Sequence, residues 1–170
     1  MKNKKGLIIA LAVIAVIAIF AGSIVSSYNS LVDERETVTN AQANIQTMLQ
    51  RRADLIPNLV NTVKGYAAHE EEVYTAIADA RSKLSGATTV DEMEKANTEL
   101  DSAISRLLVV VENYPELKAD TQFINLQDEL AGSENRISVA RKDYNDVAKA
   151  YNTHIKKFPA NIIASMFNFE

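Results

Sequence analysis

His69-Glu70-Glu71-Glu72 is the stretch whose residue types come nearest to a metal site. A zinc-protease helix needs His-Glu-x-x-His, so that two imidazoles reach the metal from one face, and position 73 is Val. The four residues therefore read as a solvated acidic helix face. His154 has no second histidine near it in sequence, and reads as a partly buried, hydrogen-bonded side chain. Di-iron bundles place Glu three residues before His; here Tyr66 and Tyr151 hold those positions. There is no Gly-x-Ser-x-Gly elbow and no glycine-rich phosphate loop. The absence of cysteine excludes disulfides, thiolate metal sites and a cysteine nucleophile. The reading is of a protein that is not an enzyme, with no catalytic residue, no cofactor and no metal.

What remains are charges in unexpected places. Arg52, Glu70, Glu134 and Arg141 fall on apolar helix stripes, where Leu or Ile would be usual. A buried charge without a partner costs several kcal/mol, so these four are expected to pair as a structural polar layer that fixes helix register. A ligand or proton-relay site is the alternative. A second group, Lys156, Lys157, Ile162, Ile163, Met166 and Phe167, joins two cations to an apolar C-terminal tail. Such a mixture suits a membrane or assembly contact. Packing of the tail on the end of the bundle is the other reading.

The elements that must hold these residues begin with a membrane segment. Residues 6–25 contain no charge and follow Lys2, Lys4 and Lys5. Twenty such residues are the length of a helix across a ~30 Å hydrocarbon core. Cleaved signals have shorter apolar cores and a small-x-small exit, which Ile19-Phe20-Ala21 matches poorly. The run is therefore read as an uncleaved, single-pass anchor whose partner is the lipid bilayer. Asp33, Glu34, Arg35 and Glu36 follow the span. By the positive-inside rule the N-terminus is then cytoplasmic and the remainder extracytoplasmic; a cytoplasmic bundle is the runner-up. Three of the eighteen basic residues precede the span, leaving fifteen against twenty-two acidic ones, a net of −7. That excess repels phosphate backbones, so nucleic acid is not an expected partner.

Beyond the span the pattern is helical throughout. Leu31, Val38, Ala41, Ile45, Met48 and Leu55 form one 3-4 stripe, with no glycine or proline between Ser23 and Ala53 to break a helix. The span thus extends into a helix of about 48 residues, ~70 Å long. Pro57 lacks an N–H and clashes with the preceding turn, and Asp54 is a plausible N-cap. A tight reversal at 53–56 is predicted, with a single long helix carried through a kink as the alternative. Further helices are predicted over 57–84, 90–113 and 117–157. Short loops and seams near 3.5 residues define an all-α fold, an antiparallel up-and-down four-helix bundle. The chain divides into a basic tail (1–5), the span (6–25), the bundle (26–158) and an apolar tail (159–170).

Several strings in this frame resemble the LemA family. They are LQRRADLIPNLV (49–60), VKGYAAHE (63–70), YPELKA (114–119), LQDELAGSENRISVAR (126–141), Tyr144-Asn145, Tyr151-Asn152 and Phe158-Pro159. Ser133 and Ala43 depart from the family, where Thr and a nearby Trp are expected. The resemblance implies a bacterial plasma-membrane protein with a four-helix bundle and favours reversal at Pro57. It supplies no catalytic residues, since the family has no agreed activity, and some descriptions of the family place the short N-terminus outside the cell. The functional expectation is a non-enzymatic, membrane-anchored scaffold that forms a homo-oligomer or recruits an unidentified membrane or envelope protein. A sensory or ligand-binding module built on the polar layer is the alternative.

Overall fold

The computed structural model describes residues 2–169, with side chains from Gly6 to Phe169. These residues form helices α1 (Lys2–Lys64), α2 (Glu71–Gly86), α3 (Val90–Val111), α4 (Pro115–Lys118), α5 (Thr121–His154) and α6 (Ala160–Phe167), and no strand occurs among them. The fold is all-α. Two compact units share the chain: one takes residues as far as Asn40 and from Asn145 onward, the other Ala41–Tyr144.

In the second unit, α1, α2, α3 and α5 surround one core. Ile56, Leu59, Ile77, Leu100, Leu107, Phe123 and Ile137 are each 1% exposed or less. The predicted reversal at 53–56 does not occur, because α1 runs through Pro57 to Lys64. Ala53 lies four residues before Pro57 and would normally accept the N–H that proline lacks. Its carbonyl instead accepts from Nε of Arg81, on α2, at 2.9 Å. The helix survives its proline because a neighbouring side chain satisfies the freed acceptor.

The reversal lies at 65–70. Tyr66 and Ala67 both donate their N–H groups to the Val63 carbonyl, tightening the last turn of α1. The Tyr74 hydroxyl donates to the Ala67 carbonyl at 2.6 Å, and the Lys64 ammonium lies 4.9 Å from the Tyr74 ring centre. Glu71 and Glu72 then open α2, where carboxylates favour the positive end of the helix dipole. The predicted helix over 57–84 is thus divided between α1 and α2.

α3 begins with a capping box. The Glu92 N–H donates to the Thr89 hydroxyl, while the Glu92 carboxylate accepts from the backbone of Thr88 and Thr89 and from the Thr88 hydroxyl. The backbone N–H groups of Thr88 and Thr89, followed by the hydroxyls, lower the Glu92 carboxyl from 4.5 to about 2. A group whose pKa is depressed on folding stabilises above its unfolded pKa and stops doing so as pH falls through the folded value. The wild-type advantage in melting temperature over Glu92→Gln should therefore be full near pH 5 and fade toward pH 2. A pH-independent difference would contradict this.

The helix predicted over 117–157 divides at 119–120 into α4 and α5. Asp120 causes the break: its carboxylate accepts the Phe123 N–H at 2.9 Å, capping α5, and the Tyr66 hydroxyl at 3.0 Å. The Phe123 N–H first, and Tyr66 second, lower the Asp120 pKa.

In the first unit Leu31, Tyr151, Ala160, Ile163, Ala164 and Phe169 form a separate buried cluster, joined by Ile24, Val32, Val38 and Ile155. The segment predicted as an apolar tail contains α6. Asn168 ends it in the left-handed conformation (φ 55°), which Asn tolerates better than most residues, and its N–H donates to the Ala164 carbonyl. The Tyr28 ring meets Phe167 and Phe169 edge-on at 4.8 and 5.5 Å.

Candidate functional site

α1, α3 and α5 bring charged side chains together at one level of the second unit, and the α1 charge is buried. Arg52 of α1 is 4% exposed. One terminal nitrogen donates to Oδ1 of Asn97 at 2.6 Å and to Oε2 of Glu134 at 2.5 Å; the other donates to Asp101. Asn97 and Asp101 are four residues apart on α3 and so share a face. The Asn97 amide donates to Asp101 at 3.3 Å and to Glu134 at 3.4 Å. Arg52 Nε is buried without an acceptor.

The two carboxylates are less enclosed than the cation, their side chains being 43% and 40% exposed. Glu134 borders an open groove of about 390 Å³ whose floor includes Arg52, Leu59, Ile104, Leu108 and Leu130. An arginine cannot lose its proton here, so proton exchange with a bound molecule would fall to the carboxylates. Both already accept from Arg52. The arrangement neutralises a buried cation and joins three helices in one register.

Of the four charges predicted to pair, only Arg52 and Glu134 meet. Arg141 lies seven residues past Glu134, about 10 Å further along α5 at 1.5 Å per residue. The layer's hydrogen bonds run among Arg52, Asn97, Asp101 and Glu134, and one terminal nitrogen of Arg141 is buried without an acceptor. Glu70 stands at the turn into α2, where its carbonyl accepts from Val73 and Tyr74. Asn97 and Asp101 were not among the predicted layer residues. The signal was present: Asn97 fills the seam position between Met93 and Leu100, where the 3-4 rhythm requires a residue facing inward.

His154 lies in the first unit, where Nδ1 is 2.8 and 2.9 Å from the two oxygens of Glu34. His69 and Glu71 and Glu72 are exposed. Among the described residues, no three His, Cys, Asp or Glu side chains gather in a way that could hold a metal ion. Of the residues predicted for a membrane or assembly contact, Ile163 is buried, and Lys156, Lys157, Ile162, Met166 and Phe167 are exposed.

The stretch from Gly6 begins a helix long and apolar enough to cross a membrane, and the window that qualifies has none of its residues buried in the protein. An apolar N-terminal helix joined to a helical bundle with an ion-paired layer defines the class: a helical protein whose first helix fits a membrane anchor. Comparison with known proteins narrows this. The LemA family model matches residues 41–170, and the chain belongs to the LemA family. Protein LemA of Metamycoplasma hominis is 30% identical over 89% of this chain and 69% of its own length. Magnetosome protein MamQ 1 of Paramagnetospirillum magneticum is 27% identical over 98% of this chain and 71% of its own. Magnetosome protein MamQ of Magnetospirillum gryphiswaldense is 25% identical over 96% and 70%.

Proposed function

We propose that this protein is a non-enzymatic, membrane-anchored scaffold that associates with further copies of itself or holds partner proteins at a bacterial plasma membrane. The observation that carries this reading is the unbroken α1, in which an exposed apolar segment and the side chain at the centre of the polar layer belong to one helix. Relatives named for a magnetosome, rather than for a reaction, support the same reading. The bundle is assigned to the extracytoplasmic side, because Lys2, Lys4 and Lys5 precede the span.

The groove beside Arg52 and Glu134 favours a second reading, a module that binds a small ligand. Native mass spectrometry of the detergent-extracted chain separates the two. A scaffold gives masses of oligomers or of complexes with other proteins. A strict monomer without partners would sink the scaffold reading, and a monomer carrying a bound small molecule would establish the second.

A further inference from the structure

α6 has two apolar faces, and only one is packed. Ala160, Ile163 and Ala164 are buried in the first unit's cluster. On the other side Ile162 is 49% exposed, Met166 64% and Phe167 51%, and Phe158, in the turn before the helix, is 80% exposed. Residues 158–169 contain no charge, and they follow two exposed lysines, Lys156 and Lys157. A bare apolar surface of this kind needs an occupant.

Its position on α1 identifies one. The cluster that holds α6 includes Ile24 and Leu31, and Tyr28 between them meets Phe167 and Phe169. Ile24 lies in the last turn of the apolar segment Gly6–Val25, and Tyr28 lies three residues beyond it. If that segment fills a ~30 Å hydrocarbon core, Tyr28 stands about 5 Å outside it at 1.5 Å per residue. That is the depth of lipid headgroups, where amphipathic rings concentrate.

We infer that α6 is an interfacial helix, lying at the headgroup–acyl boundary of the same bilayer that α1 crosses. Phe158, Ile162, Met166 and Phe167 enter the acyl edge, while Lys156 and Lys157 reach the phosphates. The lipid is favoured over a second copy of the chain because α6 packs beside Ile24, in the last turn of the span, which puts its exposed apolar residues next to a segment that the bilayer covers on the anchor reading. The inference rests on the anchor reading of Gly6–Val25, and it holds for either orientation of the bundle.

The chain contains no tryptophan, so single-tryptophan variants report one position each. The full chain is reconstituted into lipid nanodiscs whose acyl chains carry bromine near the glycerol end or near the methyl end. Leu11→Trp reports on the span, Met166→Trp and Ile162→Trp on α6, and Val109→Trp, at a site 68% exposed, serves as the solvent reference. Both α6 probes should be quenched about twofold or more by the shallow bromines, as rings 5–10 Å deep would be. Val109→Trp should not respond, and Leu11→Trp should respond most to the deep bromines. Quenching of Leu11→Trp without quenching of either α6 probe would overturn the inference and leave the anchor standing. Blue-shifted but unquenched α6 probes would overturn it in favour of a protein neighbour. An unquenched Leu11→Trp would remove the anchor reading, and this inference with it.

Discussion

Replacing both acidic partners of Arg52, with Asp101→Asn and Glu134→Gln in one chain, should destabilise the second unit by about 3 kcal/mol. The guanidinium keeps its charge at any ordinary pH. It is 4% exposed and cannot turn to water without leaving the core. Removing the counter-charges leaves it uncompensated, a situation that costs about 3–5 kcal/mol. The lower end applies because the amides can still accept hydrogen bonds and the groove admits some solvent. Arg52→Met alone should cost less, since the two carboxylates left behind are 43% and 40% exposed and can hydrate. The triple variant, Met with both amides, should recover most of the loss, because an apolar replacement of a buried ion group is often nearly neutral. Hydrogen exchange of the α3 amides measures each case. A triple variant as unstable as the double would show that geometry, rather than charge, makes the layer matter.

This asymmetry bears on how much could be read in advance. The all-α class was legible because a 3-4 rhythm of apolar residues persists through the chain beyond the span, and periodicity depends on the sequence alone. Arg52 and Glu134 were legible as seam charges for the same reason. Their partner Asp101 lies one step off the α3 seam and remains 43% exposed in its side chain. No burial pattern marks such a residue, and only the arrival of α1 opposite α3 gives it a role. Arg141 shows the converse. It sits on a seam, yet its axial level places it beyond Arg52, and levels between helices follow from loop geometry that periodicity does not encode. The break at Asp120 was nearer to hand, since Asp ahead of Thr121-Gln122-Phe123 is an N-cap signal. It was obscured by the Pro115 start just before it.

Pro57 is the instructive failure, and it carries the other large prediction. Proline in a helix is read as a break because the carbonyl four residues back loses its donor. That argument treats the helix as isolated. In the folded chain Ala53 is fully buried, and Arg81 of α2 donates to its carbonyl at 2.9 Å. Arg81→Ala should therefore leave a buried acceptor unsatisfied and cost about 1–3 kcal/mol. The same substitution in a Pro57→Ala background should cost less than about 0.5 kcal/mol, because the restored N–H of residue 57 can donate to Ala53 in the ordinary helical pattern. Pro57→Ala alone should be stabilising, since alanine is the better helix former. The double-mutant cycle thus predicts a coupling of about 0.5 kcal/mol or more between two residues twenty-four positions apart. Urea unfolding of the four chains, with matched slopes, reads it directly. An Arg81→Ala cost that is equal in both backgrounds would mean that the hydrogen bond to Ala53 is incidental. α1 would then cross Pro57 for some reason other than the acceptor's new partner.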